Sequence, residues 1–286
     1  MSAIESLRSS FALQGCNGRT ASLFHRIIYD YYQLNRRALL WRETIDPYAI
    51  LVSEIMLQQT QVERVKGKYR EFIAIFPDFR TLAAAPLAEV LTAWQGLGYN
   101  RRAISLKATA EMVVGNFGGA LPSFPDELEC LPGIGHYTAR AVAAFAFHRT
   151  EVFIETNIRA VFIHLFFPER LNVHDREILP LVEATLDRDN VREWYYALMD
   201  YGVFLKREHA NPARKSAHHV RQAPFKGSNR ELRSMILRKI LDSPGVTVQQ
   251  IVAGLGREDE LVRKNLDALV KEGFIVVDQN NGYTVP

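Results

Sequence analysis

Cysteine is scarce in this chain: Cys16 and Cys130 are the two present in 286 residues. Two thiols cannot build the multi-bridge framework of a small secreted fold, nor supply four thiolates to a zinc or iron–sulfur site. Long apolar runs are missing as well, and the N-terminus lacks a basic segment followed by an apolar core. Neither a membrane-spanning helix nor a secretory leader is therefore expected, and no membrane partner. Charge of one sign is not dominant: 35 Lys and Arg oppose 32 Asp and Glu, for a net of +3. That balance permits a nucleic-acid partner without arguing strongly for one. The expectation is a soluble, cytoplasmic protein, at the nucleoid if its host is bacterial. Its 48% hydrophobic content is enough to bury the cores of two or three compact units.

Strand-like alternation is also absent until the last residues, and what replaces it is helical periodicity. Residues 1–10 are weakly patterned and read as a loose arm. Apolar stripes at helical spacing then run through residues 22–35, 48–59, 62–76, 81–94, 101–117 and 139–147, with further helices expected at about 174–187 and 190–204. Phe76-Pro77, Ala85-Pro86, Gly96-Leu97-Gly98 and Gly118-Gly119 punctuate them with short connections. This is the pattern of an all-α bundle. Residues 205–228 break it with six Lys/Arg against one Glu, and fit either a solvated linker or a basic surface facing phosphate. Beyond Ser228 come three helical stretches, 229–241, 247–255 and 258–272, and then a hairpin around Asn281-Gly282, which is the order of a winged helix. Arg257, Arg263, Lys264 and Lys271 suit its third helix to a DNA groove, whereas Glu258, Asp259, Glu260 and Asp267 suit it equally to a protein partner or to packing.

The most informative stretch is Leu128-Glu-Cys-Leu-Pro-Gly-Ile-Gly-His-Tyr-Thr-Ala-Arg140. It reads as a helix end, a tight turn at Pro132-Gly133-Ile134-Gly135, and a new helix from about Tyr137. Gly133 and Gly135 permit positive φ and close approach of another chain. The backbone N–H groups that open the new helix, Thr138 among them, suit an anion such as a backbone phosphate.

Leu-Pro-Gly-Ile-Gly-x-Tyr-Thr-Ala resembles the helix-hairpin-helix of the DNA glycosylases related to endonuclease III and the adenine glycosylase MutY. Leu51-Val-Ser-Glu-Ile-Met-Leu-Gln-Gln-Thr-Gln-Val62 resembles the MutY helix that carries a catalytic glutamate and a Gln-Gln-Thr run placed against DNA. Leu40-Trp41-Arg42, Trp94–Ala103 and Met199-Asp-Tyr-Gly202 match in the same order, so the resemblance covers roughly residues 20–204. It implies one lobe from residues 1–38 and 150–222, a second lobe from residues 39–149 carrying the hairpin, and a winged helix at 223–286. Double-stranded DNA with a mismatch or base lesion would bind across the cleft, the protein acting as a monomer. The wing would contact DNA or a protein.

Cleavage of a purine N-glycosidic bond needs a proton for the leaving base and negative charge beside the developing oxocarbenium ion, tasks that two carboxylates in different environments can divide. Glu54, set among Ile50, Leu51, Ile55, Met56 and Leu57, is expected to be buried, neutral and the acid. By resemblance Glu155 is the ionised partner, standing where the family has aspartate, and Asn157 either supports it or caps the next helix. Tyr137 occupies the position of the lysine that forms a Schiff base in bifunctional relatives, which implies a monofunctional hydrolase acting on a mispaired adenine; the alternatives are a glycosylase for another damaged or mismatched base, or a catalytically silent lesion- or DNA-binding protein. Gln59 and Tyr99 match residues that fill the gap left by a flipped nucleotide, with Gln58, Thr60 and Arg101 beside them on the DNA. Trp41, Arg42 and Leu57 are expected near the extruded base. The family's four cluster cysteines have no counterpart between Val203 and Val220, so no cofactor and no metal are expected. The residues after Ser228 are too few for the Nudix-like domain that helps MutY recognise 8-oxoguanine.

Overall fold

A computed structural model describes residues 2–220 and 224–286. Arg221, Gln222 and Ala223, which belong to the basic stretch and hold the expected boundary of the winged helix, lie outside the described residues. The chain groups into two compact units. The first contains residues up to Ile50, Ser123–Glu129 and the run from Ile134 to residue 220; the second contains Leu51–Pro122, Cys130–Gly133 and the residues from 224 onward.

The all-α expectation holds. In chain order the helices are α1 (Ala3–Gln14), α2 (Gly18–Asn35), α3 (Pro47–Leu57), α4 (Val62–Ile75), α5 (Phe79–Ala84), α6 (Leu87–Trp94), α7 (Arg101–Asn116), α8 (Pro125–Glu129), α9 (His136–Phe147), α10 (Thr156–Phe166), α11 (Asp175–Ala184), α12 (Val191–Glu208), α13 (Asn229–Asp242), α14 (Val248–Leu255) and α15 (Asp259–Lys271). The two strands β1 (Val276–Val277) and β2 (Tyr283–Thr284) pair antiparallel, Val276 opposite Thr284. Their loop is longer than a two-residue Asn-Gly turn. Asp278 closes it by accepting from the backbone N–H groups of Asn280 and Gly282, both at 2.8 Å, and Asn281 takes the left-handed conformation.

The N-terminal segment departs from the loose arm expected of it. Residues 3–14 form α1, started by a capping box in which Ser2 and Glu5 exchange hydrogen bonds. Leu7 is fully buried, the Phe11 ring meets Phe166 edge-on at 5.0 Å, and Arg8 donates to the His164 carbonyl at 2.7 Å. The apolar stripe was too thin to see in sequence because one leucine, one phenylalanine and several polar contacts do the anchoring. The first unit is centred on α10 and α12, with α2 packed against α12 through Phe24, whose ring lies 5.1 Å from Phe162 and 5.5 Å from Trp194.

α12 runs four residues past its expected end, into the basic segment. The residues just beyond the helix are fastened by packing. A 3-10 turn at Pro212–Lys215 buries Pro212 and Ala213, and Val173 exchanges backbone hydrogen bonds with Lys215 and Ala217 at 3.0 and 2.9 Å.

A buried ion cluster ties the start of the first unit to α12. The Asp200 carboxylate, 1% exposed, accepts from both Nη atoms of Arg42 at 2.9 Å, and from Nε and the backbone N–H of Arg37. Arg192 in turn holds the carbonyls of Arg42 and Thr44. Burial alone would push the Asp200 carboxyl up; the hydrogen bonds and charges of Arg42 and Arg37 outweigh it and hold the group below the usual carboxylate range.

Two measurements check these contacts. Leu7→Ala is expected to cost about 2–5 kcal/mol in urea unfolding, as for other filled core sites, whereas a loose arm would lose nothing. Asp200→Asn leaves Arg42 buried without its partner and is expected to cost about 3–5 kcal/mol at neutral pH. Because the folded pKa is depressed, the carboxylate's contribution is present above the unfolded value of about 3.9 and lost as pH falls through the folded one. The gap between wild type and Asp200→Asn should therefore narrow in acid.

Candidate functional site

In the first unit the site is built on the facing surfaces of α10 and α12. Glu155 is the N-cap of α10: its Oε1 accepts from the backbone N–H groups of Asn157 and Ile158 at 2.7 and 2.9 Å. Its Oε2 accepts from the Asn157 amide at 3.0 Å and the Thr156 hydroxyl at 3.1 Å. Four donors and the positive end of a helix dipole suit a carboxylate. The sequence left open whether Asn157 supports Glu155 or caps the helix. The structure gives the cap to Glu155 and the support to Asn157, and the longer side chain is taken up in the capping turn.

Asn157 is itself fixed from α12. Lys206 donates to its Oδ1 at 2.8 Å. One turn earlier, Gly202 lets the two backbones meet: a Cβ there would fall 2.4 Å from the Asn157 carbonyl oxygen. Burial pulls the Lys206 ammonium below the usual lysine range, and the Glu155 carboxylate opposes that fall. Lys206 is a site residue that the sequence motifs do not single out. Its signal was the four-residue spacing from Gly202, which puts both on one face of α12.

Tyr137 lies in the first turn of α9, half-buried, its ring edge-on to Phe153 at 5.6 Å. Phe153 stacks on Tyr195 at 3.9 Å, and the Tyr195 hydroxyl donates to the Glu151 carbonyl at 2.7 Å, bracing the segment that leads to Glu155. No side chain caps α9, because its N-cap is Gly135, around which a Cβ would meet nothing within 4 Å; Thr138 is buried. That open surface fits the expected approach of an anion. Gly133 differs: with φ at +77° and a virtual Cβ 2.6 Å from the Ser105 Cβ, it is required by packing on α7 in the second unit.

Trp41 and Arg42 form a 3-10 turn in the first unit and are both buried. The Arg42 guanidinium is engaged by Asp200 and stacks over Tyr196 at 4.4 Å, so it acts on this region by fixing the turn beside Trp41.

In the second unit α3 continues with every residue from Leu51 to Met56 buried, including Glu54, which is 7% exposed. Leu57 is half-buried at the end of α3. Arg102 closes that end. Its Nη1 donates to the carbonyls of Ile55, Met56 and Gln58 at 2.6–2.8 Å, and its Nη2 to the Thr60 hydroxyl and the Gly98 carbonyl, both at 3.0 Å. It thus satisfies the carbonyls that a helix leaves open at its C-terminus. Burial pushes the guanidinium down to about 10, with Tyr99 opposing, so it stays charged at neutral pH. The sequence reading puts Arg101 on the DNA; the fold spends its neighbour Arg102 on structure.

Gln59 and Tyr99, on either side of this clasp, both adopt positive φ, at 54° and 48°. Such strain in residues other than glycine persists where the surroundings over-determine it, often at ligand clamps. Gln58 donates to the Gly133 carbonyl at 3.5 Å, and Gln58, Gln59, Tyr99, Arg101 and Gly133 line one open cleft of about 1020 Å³. The structure therefore gathers Gln58, Gln59, Tyr99, Arg101 and Gly133 in one cleft of the second unit, with Thr60 held in the Arg102 clasp, and separately Glu155, Asn157 and Lys206 in the first.

Among the described residues no cluster of His, Cys, Asp and Glu could hold a metal, and no helix is long and apolar enough to cross a membrane. The segment where the resemblance implies an iron–sulfur cluster offers no thiolate and buries Pro212, Ala213 and Ser216, so its residues do not fit that group.

Residues 52–184 match the HhH-GPD superfamily of base excision DNA repair proteins. The chain is 33% identical over 269 residues to an adenine DNA glycosylase of Mycolicibacterium smegmatis, a match covering 87% of this chain and 91% of the relative. It is 34% identical over 191 residues to an adenine DNA glycosylase of Buchnera aphidicola, covering 65% of this chain and about half, 54%, of that protein's length. Among solved structures, a thermostable thymine-DNA glycosylase matches with a TM-score of 0.57 at 27% identity, over 64% of this chain and 86% of the other. On the extent of these matches, the chain belongs to the HhH-GPD superfamily of base excision DNA repair proteins.

Proposed function

We propose that this chain is a monofunctional DNA glycosylase that hydrolyses the N-glycosidic bond of a mispaired adenine flipped out of duplex DNA, leaving an abasic site. The observation that carries the reading is the Glu155 carboxylate, held by four donors at the start of α10. A fixed negative charge with few ways to relax is what a developing oxocarbenium ion requires. Glu54, buried on α3, delivers the proton that lets the purine leave. Glu155 stabilises the cation and draws a proton from the attacking water, while Asn157 keeps the carboxylate in place through its link to Lys206. Tyr137 offers no amine, so no Schiff base forms and the strand is not cut.

Gln59 and Tyr99, already in strained conformations, enter the space left by the extruded nucleotide. Gln58, Thr60 and Arg101 contact the DNA beside them, and Gly135 and Thr138 present the α9 N–H groups to a phosphate while Gly133 sets the turn. Trp41 and Arg42 in the first unit, and Leu57 in the second, are each assigned to the extruded base. We read residues 223–286 as a winged helix, residues 1–38 with 150–222 and residues 39–149 as the two lobes, and the enzyme as a cytoplasmic, cofactor-free monomer. A thymine from a G:T mismatch is the second candidate substrate, supported by the likeness to the thymine-DNA glycosylase structure.

Single-turnover base release tests the carboxylate roles, on duplexes holding A:8-oxoguanine, A:G, A:C and G:T. Glu54→Gln and Glu155→Gln are each expected to slow adenine release by about a hundredfold or more. Glu155→Asp should stay within about tenfold of wild type, since aspartate is itself a favoured N-cap and keeps the charge. Full activity in Glu155→Gln would remove the carboxylate from the mechanism.

A further inference from the structure

The second unit holds more positive charge than the proposed chemistry uses. Its cleft is lined by Arg64, Arg101, Arg102, Arg230, Arg233 and Arg238, with Glu272 as the one carboxylate among the described lining residues. Arg102 is occupied by the end of α3. Three of the others, Arg230, Arg233 and Arg238, come from α13, the first helix of the C-terminal segment.

Their placement is specific. Arg230 donates to the Tyr99 hydroxyl, and its guanidinium lies 5.4 Å from that ring's centre. Arg101 and Arg233 both donate to Oε2 of Glu272, at 2.5 and 2.8 Å, and both lie over the Phe274 ring, at 5.7 and 5.9 Å. One anionic oxygen shared by two guanidiniums on a common aromatic base is an arrangement that a phosphate oxygen also accepts. Burial pushes the Glu272 carboxyl up, but the hydrogen bonds from Arg101 and Arg233 outweigh it and hold it below its usual range. Carboxylates near α13 and α15 answer cations on both: Arg238 has Asp242 at 3.8 Å, Arg263 pairs with Asp259 at 2.9 Å, and Arg257, just before α15, reaches Glu231 at 3.8 Å. The helix order suggested α15 as the groove reader. Three of the six arginines lining the cleft belong to α13, and no Lys or Arg of α15 is among the lining residues.

We propose that α13 is a phosphate-gripping element of the DNA site: Arg233 and Arg238, with Arg101, bind the duplex backbone, and Glu272 holds the place of one phosphate until DNA displaces it. This deepens the glycosylase reading and rests on it. A duplex is the polyanion the surface fits, because the same cleft holds Gln59, Tyr99 and Gly133, and because three guanidiniums, two on α13 and one on α7, match a chain of phosphates better than a single one.

The test is binding of the full-length chain to an undamaged fluorescent duplex, by anisotropy, between about 50 and 200 mM salt. Arg233→Ala/Arg238→Ala is expected to weaken binding by about tenfold or more and to lower the slope of log K against log salt by about two, close to one per lost phosphate contact. Arg233→Lys/Arg238→Lys should recover most of the slope, and Glu272→Gln should bind more tightly than wild type at each salt concentration. Wild-type affinity and slope in the alanine pair would overturn the proposal. If that pair fails to fold, by its thermal transition, Arg238→Ala alone and Glu272→Gln decide: an unchanged slope in the first, or weaker binding in the second, overturns it. Wild-type base release is measured separately. A changed slope without base release counts against the glycosylase reading alone, and base release with an unchanged slope counts against α13 alone.

Discussion

The first unit depends on the contact between the N-terminus of α10 and the middle of α12. Gly202 permits it, since any Cβ would overlap the Asn157 backbone. Once the helices are that close, Lys206 reaches the Asn157 amide, the amide holds one oxygen of Glu155, and the open N–H groups of α10 hold the other. A carboxylate set by backbone and helix dipole costs little reorganisation when charge develops in front of it, which is the condition for electrostatic catalysis. Asp200, two residues before Gly202, uses the same helix to fix Arg42 and the turn beside Trp41. One short stretch of α12 thus sets both the acidic group and the turn that carries Trp41.

The second unit has its own organising residue in Arg102. By gathering the last carbonyls of α3 and the Gly98 carbonyl, it fixes the backbone on both sides of Gln59 and Tyr99. The positive-φ backbone at those two residues is held from both sides by a buried guanidinium. The cleft around them is shared with α13, so the C-terminal segment helps to shape it.

Much of this was legible in the sequence, because helical periodicity survives wherever one face is buried, and Pro and Gly mark the breaks. The hairpin turn and the burial of Glu54 could be placed on that basis, and Glu155 by its match to the family's aspartate. α1 was hidden because Leu7 is the one apolar side chain that it buries fully. Lys206 and Arg102 were hidden for another reason. A cation in sequence looks solvated until the fold supplies the carbonyls or amide that bury it. The capping role of Glu155 was similarly out of reach, since the resemblance gave it only as the ionised partner. The side chain instead folds back onto the N–H groups of its own helix.

The most direct measurement is mass spectrometry of an A:8-oxoguanine duplex after single turnover in water enriched in heavy oxygen. Hydrolysis by the Glu54–Glu155 pair predicts free adenine, an unbroken strand, and one heavy oxygen in the abasic sugar. A covalent protein–DNA adduct trapped by borohydride, or a duplex that is bound and loses no base, would contradict it.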